Sequence, residues 1–124
     1  MKMNRDYVLF IETPLFEKNW KDLGFEDDDL MELQDTLSQD PHIGRLIKGT
    51  GGIRKMRFSF EGRGKSSSVR ICYIYYHSYG CIFLVTAYSK KEKENLSLYK
   101  RNELRKLTKT LTEELKRRSS HDTL

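Results

Sequence analysis

Three strand-like runs decide the fold: Ile-Arg-Lys-Met-Arg-Phe-Ser-Phe at 53–60, Val-Arg-Ile-Cys-Tyr-Ile-Tyr-Tyr at 69–76, and Cys-Ile-Phe-Leu-Val-Thr-Ala-Tyr at 81–88. In the first run apolar and polar residues alternate, which predicts a half-exposed strand whose outer face carries Lys55 and Arg57. The other two runs are apolar on both faces and predict central strands, joined by a hairpin turn at 77–80. Three consecutive strands favour an antiparallel meander.

Upstream of these runs, the sequence predicts one strand and two short helices. Residues 7–11 are apolar and rich in strand formers, so we expect the first strand there. Thr13-Pro14 is typical of a helix start, and apolar residues at helical spacing continue to Gly24. Three aspartates at 27–29 favour a second helix start, because acids suit the positive end of the helix dipole. These two short, adjacent helices are predicted to form a helical hairpin on one face of the sheet.

Downstream, a last helix is expected after a charged loop at 89–95. Ser97 is a candidate cap, and four leucines at spacings of three and four predict one apolar stripe: Leu104, Leu107, Leu111 and Leu115. We therefore expect a single α+β domain over residues 1–118, with an antiparallel sheet, a helical hairpin and a C-terminal helix. Residues 119–124 are expected to be a frayed tail.

Charge is unevenly distributed along the 124 residues. Residues 1–40 hold 4 Lys/Arg and 11 Asp/Glu, a net of −7, whereas residues 41–124 hold 19 and 7, a net of +12. A strongly positive region is typical of a protein with a polyanionic partner, and we expect nucleic acid.

Several function classes are excluded by the residues present. No apolar run approaches the roughly 20 residues that span a bilayer, and the N-terminus does not resemble a signal peptide, so we expect a cytoplasmic protein without membrane contact. Gly62 to Ser66 resembles the end of a P-loop, but the pattern needs glycine at Ser59 and a following helix. The three histidines share no ligand spacing, so we expect neither metal nor cofactor.

The two cysteines, Cys72 and Cys81, both lie in apolar strand runs. They could meet across the hairpin, but buried reduced thiols are the expectation for a cytoplasmic protein.

A basic cluster is the main candidate site. Residues 45–70 hold eight Lys/Arg and one acid, Glu61. Lys55 and Arg57 share one strand face, Arg70 opens the next strand, and Lys90 follows the last one, so a meander brings them to one rim of the sheet. Neighbouring residues are further candidate RNA contacts, through phosphate neutralisation or base stacking: Arg54, Arg63, Lys65, Tyr88 and Lys91.

The runs at 49–57, 62–65, 69–76 and 87–92, together with Phe10-Ile-Glu-Thr-Pro-Leu-Phe16, resemble the signature of HigB-type toxins of the RelE/ParE superfamily. The resemblance covers about residues 7–115. It implies a RelE-like fold and metal-independent cleavage of mRNA on the translating ribosome. It also implies growth arrest, neutralisation by an antitoxin with a helix-turn-helix domain, and contact with operator DNA only through the antitoxin complex.

The same resemblance suggests catalytic positions. The basic residues of the family's second and third strands match Lys55, Arg57 and Arg70, and the one after the fourth strand matches Lys90 or Lys91. Because cations can stabilise developing charge and a lysine crowded by cations can act as a base, we expect Lys55 to be the general base. Arg57 and Arg70 would clamp the phosphate, and Lys90 would bind it or act as the acid. Family members often carry a C-terminal tyrosine or histidine where this chain has Asn95-Leu96-Ser97.

Two alternatives stay open at this point. One is a DNA gyrase inhibitor, since a sister branch uses the same fold for that role. The other is a non-catalytic nucleic-acid-binding module that uses the same basic rim.

Overall fold

The computed structural model describes residues 8–60, 68–89 and 98–122. Within them the elements follow in this order: β1 (Leu9–Glu12), α1 (Pro14–Asp22), α2 (Asp27–Gln39), β2 (Arg45–Leu46), β3 (Ile53–Phe58), β4 (Val69–Tyr76), a 3-10 turn (His77–Tyr79), β5 (Cys81–Ser89) and α3 (Leu98–Asp122). The predicted loop at 61–68 and the predicted cap at Ser97 lie largely or wholly outside the described residues. No described helix combines the length and apolar character that crossing a membrane requires.

The strands form one five-stranded sheet in the order β1-β5-β4-β3-β2. Neighbouring strands from β2 to β5 are antiparallel, which confirms the predicted meander. β1 joins the edge of the sheet, as expected, and runs parallel to β5. β2 was not predicted, because two exposed residues carry no periodic signal.

Both N-terminal helices begin at side-chain caps. Thr13 Oγ1 accepts a hydrogen bond from Phe16 N at 3.1 Å and donates one to Val85 O at 2.8 Å, so it ties the start of α1 to β5. At α2, Asp29 Oδ2 accepts from Glu26 N at 2.8 Å. The aspartates at 27–29 therefore serve the helix start, as their position predicted.

The sheet has an apolar core on each face. On the first face, α1 and α2 pack Phe16, Trp20, Leu33 and Leu37 against inward residues of β3, β4 and β5. On the second face, the leucine stripe of α3 packs against a separate cluster that includes Ile53, Cys72 and Phe83. Burial on both sides explains why β4 and β5 are apolar on both faces.

Tyr73 anchors the segment between α2 and β2. Its buried hydroxyl accepts a hydrogen bond from Gly44 N at 2.9 Å and donates one to Pro41 O at 2.7 Å. A Cβ at position 44 would lie 2.9 Å from the Tyr73 ring, so glycine is required there. Burial raises the pKa of Tyr73, which keeps the hydroxyl protonated and able to donate. This contact fixes where β2 begins.

A second anchor joins α3 to the turn between β2 and β3. Thr108 Oγ1 lies 2.9 Å from Thr50 O and 2.9 Å from Leu104 O, so its hydroxyl can donate to either carbonyl. Thr50 Oγ1 in turn accepts from Ile53 N and donates to Ile47 O. A Cβ on Gly51 would lie 3.2 Å from Thr108 Cγ2, and the positive φ of +82° at this residue also favours glycine.

The predicted state of the cysteines is confirmed. Cys72 and Cys81 are both buried thiols, and neither forms a disulfide. Burial raises the pKa of the Cys81 thiol, so this side chain behaves as a small apolar group.

We expect Tyr73→Phe to lower the free energy of unfolding by about 1–3 kcal/mol, because Gly44 N and Pro41 O lose a buried partner. Urea denaturation measures the loss. Tyr75→Phe is the matched control on the same strand. Its hydroxyl contacts His77 at an exposed position, so we expect a change within about 0.5 kcal/mol. Equal effects of the two substitutions would contradict the anchoring role.

Candidate active-site cleft

A cleft of about 550 Å³ opens on the second face of the sheet, beside the apolar cluster under α3. β2 and the turn after it contribute to its wall, together with β3, β4 and the first part of α3. Within the described part of the chain, its lining includes no carboxylate but six cationic side chains: Arg45, Lys48, Lys55, Arg57, Arg70 and Arg101.

The strand register brings these cations together. Arg45 lies opposite Lys55 across β2 and β3, and Arg57 lies opposite Arg70 across β3 and β4. Lys55 and Arg57 point to the same side because strand side chains alternate. Directly opposed residues have Cβ atoms roughly 4.5–5.5 Å apart, and like charges at that spacing repel. Repulsion within these two adjacent pairs lowers the free energy of unfolding, and a bound anion would offset that repulsion.

Arg57 is exposed, whereas Lys55 and Arg70 are half-buried. Arg70 Nη1 donates a weak hydrogen bond to Ser68 Oγ at 3.4 Å, which holds the guanidinium near the start of β4. Tyr88 lies opposite Arg70 on β5 and packs at the edge of the second core. The structure thus brings three of the predicted catalytic residues, and one predicted stacking residue, to one rim.

Arg54 lies elsewhere. Because neighbouring strand residues point to opposite faces, Arg54 points to the first face of the sheet and Lys55 to the second. There Arg54 Nη1 donates to Gly44 O at 2.7 Å and to His42 O at 3.3 Å. It therefore supports the same segment that Tyr73 holds and is separate from the cleft. The remaining predicted site residues lie outside the described residues: Arg63, Lys65, Lys90 and Lys91.

Three of the lining cations were not predicted as site residues from the sequence: Arg45, Lys48 and Arg101. The first two belong to the basic cluster at 45–70, but the strand that aims Arg45 at Lys55 was not predicted. The sequence does contain a pattern that places Arg101 on the inner face of α3. This arginine precedes Leu104 by three residues and Thr108 by seven, so it continues the inner stripe of α3.

The acidic N-terminal part of the chain lies on the opposite face of the sheet. α1 and α2 cover the first face and carry most of the acids of residues 1–40. Burial, together with the nearby charges of Glu17 and Asp27, raises the pKa of Glu12. The acids of these two helices are therefore separated by the sheet from the six cations that line the described part of the cleft, and this separation favours a polyanion at the second face.

The described lining of the cleft offers six cationic side chains and no carboxylate. Such a site can bind a phosphodiester and stabilise negative charge that develops on it. No group of three or more His, Cys, Asp or Glu side chains with the arrangement of a metal site occurs in the described residues.

Residues 10–120 match the protein family described as the RelE toxin of the RelE / RelB toxin-antitoxin system. The fold is similar to that of the E. coli toxin RelE, solved in the free state as a mutant with two arginines replaced by alanine. The TM-score is 0.50 with 14% sequence identity, over 68% of this chain and 84% of that chain. Because the sequence identity is only 14%, this similarity supports the fold alone.

We expect Arg57→Gln to raise the free energy of unfolding by roughly 0.2–1 kcal/mol at low salt, because it removes repulsion from Arg70 directly opposite. Thermal denaturation at two salt concentrations measures this, and the gain should shrink as salt screens the charges. Arg105→Gln is the control, since Arg105 is an exposed arginine that donates to Asn102 on the same helix. A loss of stability in Arg57→Gln would show that this arginine stabilises the fold.

Proposed function

The chain belongs to the RelE toxin family, and we propose that it is a ribosome-dependent, metal-independent endoribonuclease that cleaves mRNA during translation and arrests growth. The observation that carries the proposal is the convergence of Lys55, Arg57 and Arg70 in a cleft whose described lining lacks any carboxylate. Family membership implies a cognate antitoxin.

The proposed reaction uses the substrate's own 2′-OH as nucleophile. Lys55 removes the 2′-OH proton as the oxygen attacks the neighbouring phosphorus, and the bond to the 5′-oxygen breaks. The products are a 2′,3′-cyclic phosphate and a free 5′-OH, which must gain a proton. We assign that proton transfer to Lys90 or to water, and Lys90 or Lys91 to phosphate binding.

Arg57 and Arg70 have a different role in this proposal. Arg57 and Arg70 are directly opposed in the register of β3 and β4 and both line the cleft, so we assign both to the non-bridging oxygens of one phosphate. Charge on these oxygens grows in the transition state, where fixed donors lower the barrier most. Tyr88, opposite Arg70, offers a ring for a neighbouring base.

The finer assignment follows the sequence resemblance. We place the chain in the HigB-type branch, acting in the cytoplasm on mRNA held by the ribosome. Its antitoxin would carry a helix-turn-helix domain, and the complex would reach operator DNA through that domain. The rival role as a gyrase inhibitor needs no cluster of phosphate-binding cations, so the paired register of Arg57 and Arg70 favours the nuclease.

Expression in bacteria without antitoxin should stop growth and translation. Mapping mRNA 5′ ends in a translation extract should reveal new ends in phase with codons, because cleavage requires mRNA held in frame on the ribosome. Intact mRNA together with trapped gyrase would support the rival role. Intact mRNA with ordinary gyrase, despite binding to RNA, would support a non-catalytic module.

Lys55→Ala and Arg70→Ala should each reduce mRNA cleavage by about a hundredfold or more, the typical loss of one well-placed charge-stabilising group. Arg70→Lys should also be impaired, because a point charge cannot reproduce the two-pronged donor. The measurement is the yield of codon-phased cuts at equal protein concentration, with thermal melts to confirm folding.

Lys18→Ala and Arg117→Ala are the matched controls for these substitutions. Lys18 lies on α1 and pairs with Asp22, and Arg117 lies far along α3 beside Glu114, so both are remote from the cleft. Each control should cleave like the wild type. Full cleavage by Arg70→Ala, or a large drop in its melting temperature, would remove Arg70 from the catalytic set.

A further inference from the structure

Arg101 stands where the inner stripe of α3 leaves the apolar core. Further along the helix, Leu104, Thr108 and Leu115 contact the sheet or its connecting turn. One turn before Leu104, the same face of the helix carries an exposed arginine that lines the basic cleft. Because this side chain is exposed and lines the cleft, it adds positive charge to the cleft.

The seating of α3 determines which part of the cleft Arg101 reaches. Thr108 is bonded to Thr50, and a Cβ on Gly51 would lie 3.8 Å from Arg105 Cγ. This part of α3 therefore lies over the turn between β2 and β3. One turn closer to the start of the helix lies Arg101, which lines the cleft together with Arg45 of β2 and Lys48 of the turn after it.

The cleft holds more positive charge than one phosphate uses. Cleavage at a single phosphodiester engages Lys55, Arg57 and Arg70 in the proposed mechanism, on β3 and β4. The other three cations lie toward β2 or on α3. Neighbouring strands are about 4.8 Å apart, so β2 and β4 are separated by roughly 10 Å. RNA carries one negative charge per nucleotide, and a cleft of this width meets more than one of them.

We propose that Arg101, together with Arg45, binds the backbone phosphate next to the scissile one, so that α3 forms one wall of the RNA groove. The inference rests on the proposed function, since it assigns a neighbouring subsite of the same substrate. Arg101 acts in binding and takes no part in proton transfer. Thr108 positions it, because the bond to Thr50 sets where α3 lies on the sheet.

The test compares two arginines on one helix. Arg101→Gln and Arg105→Gln each remove one exposed positive charge from α3, but Arg105 is absent from the residues that line the cleft. Arg101→Lys keeps the charge and serves as the conservative variant. The probes are 2′-O-methyl oligonucleotides, which lack the nucleophile and remain intact: a dinucleotide with one phosphate and a tetranucleotide with three.

Arg101→Gln should weaken tetranucleotide binding about tenfold at low salt, as expected when one charged hydrogen-bonded contact is lost. The slope of log Kd against log salt should fall by about 0.7, the release of one counterion from single-stranded nucleic acid. Dinucleotide binding should be unchanged, because its one phosphate occupies the Lys55, Arg57 and Arg70 subsite. Arg101→Lys should recover most of the affinity, and Arg105→Gln should match the wild type with both probes.

Three results would overturn the inference: equal effects of Arg101→Gln and Arg105→Gln, an equal loss with the dinucleotide, or no binding of either probe by the wild type. Cleavage of mRNA in a translation extract, measured in parallel, separates this inference from the proposed function. Codon-phased cuts without any dependence of binding on Arg101 would leave the nuclease standing and remove the subsite. Binding that depends on Arg101 without cuts would remove the nuclease and leave Arg101 as a contact of a non-catalytic RNA-binding surface.

Discussion

Antiparallel pairing of β3 with β4 is the constraint on which the rest of the structure depends. Its register puts Met56 and Phe58 into the first core and directs Lys55 and Arg57 to the opposite face. Because side chains alternate with a period of two, a slip by one residue would bury the cations and expose the apolar residues. The same register that forms the core therefore also builds the basic cleft.

This arrangement places like charges opposite each other, and the fold must compensate for their repulsion. Apolar packing and buried hydrogen bonds outside the cleft stabilise the fold against this repulsion. The first face has the helix pair and the buried hydroxyl of Tyr73, which hold the segment leading into β2. The second face has α3, held by its leucine stripe and by Thr108. The acids of α1 and α2 lie on the first face of the sheet, so they contribute little to neutralising the described lining of the cleft.

The sequence was sufficient to predict elements whose signal is periodic. β3, β4 and β5 follow from runs of alternating or continuous apolar residues, and α1 and α2 follow from their caps. The convergence of Lys55, Arg57 and Arg70 follows from the meander. β2 could not be predicted, since two exposed residues acquire strand geometry only through pairing with β3. For the same reason the contribution of Arg45 is visible only in the tertiary structure.

Arg54 and Arg101 illustrate why counting charges is not enough to identify a site. Both are basic residues near the cluster, yet the pleat turns Arg54 toward backbone carbonyls at Gly44, where it holds a loop. Arg101 is distant in sequence, but the seating of α3 brings it to the cleft. The cations of the cleft occupy positions that neither core requires, so their identity can change while the fold persists. A fold of this kind can therefore support different activities, and the paired cations, more than the topology, are the feature that favours phosphodiester chemistry here.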